Sequence, residues 1–536
     1  MPAAPTQTDI LVIGAGHNGL TTAAYLLAGG LSVTVVEARS VIGGATLTEE
    51  FHPGFRNSVC SYSVSVLHPK VIADLELHRH GLEIMERSSA GFVPLPGGDA
   101  LFLARDMAAA KAELERFAPG DGAAYESFSE ELARGAKVLR RFLLDPPPNL
   151  GGGPADLWRL LKAAGRMGRL STADQALMAE LFTSSAGDFL DKRLNGAPVK
   201  GLYGYAGVVG SLTSPYAPGS AYVLLHHSFG EVNGKVGAWG HARGGMGAIA
   251  QAMAAAVGER GGTIRTDSPV REILTDKGRA SGVVLVDGTV LKAGAVVAAI
   301  NPQPLFLDMV DPALLPADFR RHMGGYRNRS GTFRMNVALG ELPDFTARPG
   351  TAQAEHHTAS VVISPSLRYL EDAYDNAKHG GWAKRPVIEM NIPSTIDDSL
   401  APPGRHVASL FCQHFHPDLS EGRDWDDVKE QVADLILDTV TEYAPNFRNA
   451  VIGRQVLSPK DLERDFGLTG GDIFHGQLDL DQLFSLRPAP GYADHRTPLP
   501  GLYLAGSGTH PGGGVSGLPG HNAARVILKD LKRRRA

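Results

Sequence analysis

An α/β fold, with a nucleotide-binding domain interrupted by inserted segments, is what the sequence predicts, and three glycine-rich turns carry the prediction. The first follows a short apolar run at residues 9–13. The second, Gly244-Gly245-Met246-Gly247, opens a helical stripe of Met246, Ile249, Met253 and Val257. The third follows the apolar run 502–505 and leads into a helix. At 536 residues the chain exceeds what one hydrophobic core usually serves, so two domains are expected.

The first turn is a GxGxxG pattern, Gly14, Gly16 and Gly19, between a strand and a helix whose buried face is Leu20, Ala23, Ala24 and Leu27. Gly14 permits the tight turn, Gly16 lets backbone approach a diphosphate, and Gly19 lets the helix lie close to the strand. His17 and Asn18 begin the helix, where free N–H groups favour the diphosphate and backbone is expected to matter more than the His17 side chain. Gly29-Gly30 ends the helix and residues 32–36 form the second strand. Glu37 closes it, placed to accept hydrogen bonds from both ribose hydroxyls and to repel the extra phosphate of NADP. NAD and FAD present the same ADP half to such a unit. Glu37-Ala38-Arg39 followed by Gly43-Gly44-Ala45 extends the surface towards a longer dinucleotide, which points to FAD. The extension resembles the two-dinucleotide-binding-domain flavoproteins, so the expected fold is a Rossmann-like, glutathione-reductase-like FAD domain with an inserted α+β substrate domain.

Residues 71–235 read as mainly helical, at 107–117 and 125–144, broken by a proline-rich loop at 146–154. After the second glycine turn come β-type runs at 263–265, 270–274 and 282–286, a hairpin turn at Asp287-Gly288 into Val290, and a buried run at 295–300. Alternation at 332–339, 387–392 and 407–415 predicts an antiparallel sheet with one covered face, and Val428, Val432, Leu435, Ile436 and Val440 mark one long helix. The expected division is 1–70, 236–304 and 491–536 for the FAD domain, with 71–235 and 305–490 for the substrate domain. The cleft between them is the expected pocket.

Composition narrows the partners. Hydrophobic content of 43%, charged content of 20% and a formal charge of −5 describe an ordinary globular protein and argue against nucleic acid. The basic tail at 529–535 reads as a solvated helix end with weak attraction to an anionic membrane. Cys60 and Cys412 form no CxxC and no metal spacing, so neither a redox dithiol nor a metal site is expected. The first eight residues carry no secretory pattern and no apolar run reaches the roughly 18 residues of a membrane span. The expectation is a cytoplasmic protein whose membrane contact, if it has one, is peripheral.

The third turn, SGTHPGGGVSGLPGHNAA at 507–524, is read as a loop that lets backbone close on a planar ring, with the following helix aimed at the flavin. With VIGAGHNGL, EARSVIGGA, GGMGAIA, GDIFHGQLDLDQLF and LYLAGSGTHPGGGVSGLPGHNAA in place, the chain resembles the phytoene dehydrogenase-related FAD oxidoreductases along nearly its whole length. Within them it is most similar to the branch of pyridine nucleotide-disulphide oxidoreductase domain-containing protein 2 and the desaturase-like carotene ketolases. The resemblance implies that Gly14, Gly16 and Gly19 hold the diphosphate and Glu37 the adenosine ribose. It also implies that Arg39, Gly43 and Gly44 border FAD, that Val270 lies by the adenine, and that Gly506, Gly508, Gly514 and Val515 approach the ribityl chain and flavin. A disulfide reductase is not expected, because CxxC and a second GxGxxG are missing. The fold is shared with amine oxidases, but the loop 510–521 has none of the aromatic residues that help form their cage.

Of the histidines, His510 in the third turn and His475 in GDIFHG are the candidate catalytic residues; loop bracing is the plainer role for each. The expected chemistry is FAD-dependent dehydrogenation of a C–C bond in a hydrophobic, isoprenoid-like small molecule, without direct reduction by NADH or NADPH. Isomerisation or ketolation of such a substrate, and a non-catalytic FAD-stabilised interaction protein, are the alternatives.

Overall fold

The computed structural model describes residues 7–87 and 91–535. The first six residues, read above as part of a segment free of a secretory pattern, lie outside the described residues.

One seven-stranded sheet is built from three distant parts of the chain. Its order runs Thr263–Arg265, Val33–Val36, Gln7–Ile13, Val290–Ala298, after which Arg279–Leu285 and Val270–Asp276 continue it antiparallel. Leu502–Leu504 joins the far half of Val290–Ala298 in parallel. The registers place Ile13 beside both Val36 and Ala298, and Ala298 beside Leu504. The turns that follow these strands therefore meet at one sheet edge, where ligands of open α/β sheets bind. The runs expected at 282–286 and 295–300 are parts of two longer strands, joined at the predicted hairpin.

The helix His17–Ala28 packs between Leu518–Arg535 and Gly247–Glu259. Small residues make this approach close. A Cβ on Gly520 would stand 2.3 Å from the Asn18 carbonyl oxygen. This explains a misreading: the last helix starts at Leu518, inside the stretch expected to be loop, and runs to Arg535. Gly520, Ala523 and Ala524 are packing residues rather than loop residues.

The second large sheet has the order Val451–Leu457, Phe333–Leu339, His406–Phe415, Trp382–Asn391, Val361–Ile363, Gly91–Pro94 and Ala100–Leu103. It differs from the expected antiparallel sheet in two respects. Gly91–Pro94 and Ala100–Leu103 come from the segment read as mainly helical, and Gly91–Pro94 meets Val361–Ile363 in parallel. Each of these strands has four residues, too few to show a period of two. The sheet is also covered on both faces, since every residue of Phe333–Leu339 is buried. Its polar face is buried by hydrogen bonding rather than solvated. Arg334 donates to the carbonyl oxygens of Val59 and Leu410 and to Ser409, while Asn336 donates to Ser58 O and Gln455.

Helices cover the remaining flank. Met107–Phe117 forms as expected, Asp121–Arg140 replaces the expected 125–144, and Trp425–Thr441 carries the predicted apolar stripe. Pro154–Gly168 is unusual in having no buried residue. Among the described residues, no helix is long and apolar enough to cross a membrane, and no cluster of side chains could hold a metal ion.

Candidate functional site

The first glycine turn forms an open cradle. Gly14 has φ of +96°, and a Cβ on Gly19 would stand 2.0 Å from the Gly14 oxygen, so both positions exclude side chains for local reasons. Gly16 is different. A Cβ there would have Gly43 O, 3.9 Å away, as its nearest neighbour, so its approach is clear on the protein side. Gly43, at φ +121°, forms a bridge with Gly16 and donates its N–H to Ala15 O at 3.0 Å. Gly44 lies over the Gly16 Cα.

Glu37 is buried at the end of its strand, where its carboxylate accepts the N–H groups of Ala15 at 2.8 Å and Arg39 at 3.1 Å. Arg39 pairs with Glu49 at 2.9 Å and lies over the Phe466 ring, while its Nη1 is buried without a partner. Ala38 is exposed at the rim. Ser268 donates its N–H to Glu37 O, which brings Val270 to the same end of the sheet.

A cavity of about 640 Å³ leads away from the cradle, and His17, Ala45, His475, Ser507, Gly514 and Val515 line one part of it. The His17 side chain thus has a place in the cavity wall that the emphasis on backbone did not foresee. Burial lowers the pKa of His17 and of His475 to about 4, so both imidazoles are neutral at pH 7. His17 Nε2, Asn18 Oδ1 and His475 Nδ1 are buried without hydrogen-bond partners. Buried polar atoms of this kind are costly unless something supplies a partner. With the clear approach to Gly16, they make the site fit a large polar cofactor such as FAD.

At several glycines of the third turn the protein itself leaves no room for a side chain. A Cβ would strike Ile300 O from Gly506, Pro302 from Gly508 and Phe474 from Gly513. Gly514, at φ +93°, is the one that lines the cavity. The two candidate histidines are separated. His475 faces this cavity, whereas His510 lines a second one of about 750 Å³, where its Nε2–H donates to Phe142 O at 3.0 Å.

Two features escaped the sequence reading. Arg487 is fully buried and donates to Phe474 O at 2.8 Å, Ser507 O at 2.7 Å and Gly476 O at 3.1 Å, tying the His475 segment to the third turn. Farther along the cavity, Glu389 accepts hydrogen bonds from Tyr62, Tyr205, Ser360 and Asn391. Arg487 lies in a proline-rich stretch with no motif. Glu389 lies in an ordinary strand pattern, and its partners come from three other parts of the chain.

An open glycine cradle at the sheet edge with a cavity beside it is the arrangement of a flavoprotein oxidoreductase. The chain matches the family described as flavin containing amine oxidoreductase over residues 19–332, and it belongs to that family. It is an FAD-dependent oxidoreductase with an amine-oxidase-like α/β fold of mixed sheets. It is 40% identical to mouse "Pyridine nucleotide-disulfide oxidoreductase domain-containing protein 2", over 98% of this chain and 94% of that protein. The "Phytoene desaturase (neurosporene-forming)" of Cereibacter sphaeroides is a weaker relative, 27% identical over 99% of this chain and 96% of that protein. Among solved structures, wild-type putrescine oxidase bound to putrescine aligns with a TM-score of 0.62 at 16% identity, covering 98% of this chain and 99% of that one, a likeness of fold. The relative's disulfide label has no counterpart in the thiols. Cys60 and Cys412 are buried, and burial pushes the Cys60 thiol up to about 12.

Proposed function

We propose that this flavoenzyme dehydrogenates a C–C bond of a largely apolar, isoprenoid-like small molecule held in the part of the 640 Å³ cavity beyond Gly514 and Val515. The observation that carries the reading is the cavity's lining. Beyond Gly514 and Val515 its wall includes Leu103, Leu132, Leu202, Val209 and Phe411, and this suits a hydrocarbon body beside a flavin.

In this reading Gly14, Gly16, Gly19, His17 and Asn18 receive the diphosphate, Glu37, Ala38 and Val270 the adenosine end, and Arg39, Gly43, Gly44 and Ala45 the path between. Gly506, Gly508, Gly514 and Val515 border the ring. The domain division and the glutathione-reductase-like character of the FAD domain stand as part of the same proposal. When bound, the flavin supplies a two-electron acceptor for hydride. The protein's part is orientation and exclusion of water: the apolar wall fixes the substrate, and neutral His475 and His17 add no charge where one would have to be solvated.

Helix Pro154–Gly168 supports peripheral contact with an anionic membrane. Leu157, Trp158 and Leu161 are each about 60% exposed, among Arg159, Lys162, Arg166 and Arg169. Vesicles containing phosphatidylserine should shift Trp158 emission to the blue, and an unchanged spectrum would remove this contact.

The reaction is tested by mixing the holoenzyme anaerobically with metabolite fractions ordered by polarity while following flavin absorbance. Bleaching by an apolar fraction is expected. Bleaching only by polar fractions would overturn the substrate reading, and rapid bleaching by NADH or NADPH would overturn the single-dinucleotide assignment.

A further inference from the structure

The cavity is apolar over most of its wall, and away from the His17 and His475 end its polar groups gather around Glu389. Val387, Glu389 and Asn391 share one face of Trp382–Asn391, while Ile388 and Met390 point into the core on the other. Tyr62 reaches Glu389 from the segment that leaves the cradle, where Ser61 donates its N–H to Ala45 O at 2.9 Å. Tyr205 arrives from the helical cap. Tyr62 and Tyr205 both donate to Glu389 Oε2, at 2.5 and 3.0 Å, while Ser360 and Asn391 both donate to Oε1. Behind them Arg87 donates to Asn391 Oδ1, and the Arg334 guanidinium lies 4.6 Å over the Tyr62 ring.

A carboxylate offers about four lone-pair sites, and these four donors use them. Burial opposes charge on Glu389, but the hydrogen bonds from Ser360 and Tyr62 and the Arg87 charge prevail and hold its pKa below the ordinary value. Burial, together with the charge on Glu389, keeps both phenols protonated. The consequence is directional. Each phenolic proton points at Glu389, so the oxygen lone pairs of Tyr62 and Tyr205 are what the cavity is offered, next to an ionised carboxylate. A hydrocarbon would leave those acceptors dry and unpaired, and a carbonyl or carboxylate would set lone pair against lone pair.

We infer that the substrate is an amphiphile whose hydroxyl or amine N–H donates to Tyr62 and Tyr205 while its apolar body follows the rest of the wall. This rests on the proposed apolar-substrate reading and specifies it: Tyr62 and Tyr205 become specificity residues, and Glu389 is the positioning residue that fixes their protons.

The test uses three probes that share one carbon skeleton: farnesol, farnesene and farnesoic acid. Each is titrated into the FAD-loaded enzyme while the flavin difference spectrum is recorded. Farnesol should bind at least tenfold more tightly than farnesene and than farnesoic acid. Tyr62→Phe and, as an independent variant, Tyr205→Phe should each cut the preference for farnesol over farnesene to about threefold or less, weakening farnesol and not weakening farnesene. Equal binding of farnesol and farnesene, or a preference that survives both substitutions, would overturn the inference and leave the apolar reading intact. Tightest binding of farnesoic acid would overturn it in favour of Arg87 as the anchor. If no probe perturbs the flavin, the inference and the apolar-substrate reading fall together.

Discussion

The first glycine turn and the Glu389 end of the neighbouring cavity are built in opposite ways. Around Gly16 the exposed surface is backbone, and the specification is an absence of side chains within a few consecutive residues. Around Glu389 it is side chains alone, drawn from residues 62, 205, 360, 389 and 391. A backbone surface is imposed by local glycine geometry and survives most changes elsewhere. A side-chain network depends on the whole fold being in place, and a single substitution can redirect it.

The largest test of this contrast is Gly16→Val. Its φ of −74° and ψ of 171° suit any residue, and a Cβ meets only Gly43 O, at an uncrowded 3.9 Å. The variant should therefore fold and melt like wild-type apoprotein, yet purify without yellow colour. Retained flavin would show that the cofactor does not approach Gly16, and failure to fold would show that the turn is needed by the protein itself.

Arg487→Ala comes next. The guanidinium is fully buried among carbonyl oxygens, and hydrogen bonds to a charged group are worth about 1.5–3 kcal/mol each. Its removal should destabilise the protein by about 3 kcal/mol or more and loosen the His475 segment from Ser507. Denaturant unfolding measures the first effect and flavin fluorescence the second. A loss below about 1 kcal/mol would mean that water replaces the guanidinium, leaving the side-chain half of the contrast weaker than drawn.

The pH profile distinguishes the buried groups. Burial holds His495 and His510 at about 4 in the folded protein, against about 6.5 unfolded. Between those values the unfolded chain binds protons that the folded chain refuses, so stability falls as pH is lowered from about 6.5 to about 4, by up to about 3 kcal/mol for each. Asp472, which burial raises to about 6, opposes this with a similar magnitude over about pH 4–6. His17 and His475, which burial also holds at about 4, act in the same direction, so the buried histidines together outweigh the one carboxylate. The melting temperature should decline through that acid window, and a rise there would show that Asp472 dominates.

The same contrast explains what was legible in the sequence. Gly14, Gly16, Gly19, Glu37 and the strands around them could be read because each cause lies within a few residues of its effect. The third turn was half legible: Gly514 lines the cavity, but Gly506, Gly508 and Gly513 are glycine because Ile300, Pro302 and Phe474 leave no room. The Gly91–Pro94 and Ala100–Leu103 strands were hidden by their brevity. Arg487 and Glu389 were illegible for a different reason, since an isolated arginine or glutamate has meaning only through partners far away in the chain.

The smallest expected effect belongs to His510, and it decides whether the third turn is chemical or mechanical. Its neutral ring faces the second cavity, stands 5.6 Å from the Phe484 ring and donates to Phe142 O, while His475 faces the first cavity. A bracing role predicts that His510→Ala keeps FAD, loses about 1 kcal/mol of stability, the usual worth of one hydrogen bond, and reduces its flavin at nearly the wild-type rate. A general acid or base would instead cost about 100-fold or more in anaerobic flavin reduction. The geometry favours bracing, because an imidazole bonded to Phe142 on the far side of the turn has no path to a substrate in the first cavity. An alanine variant with full flavin, unchanged melting and no reduction would reverse that conclusion, and would require the turn to move so that His510 enters the first cavity.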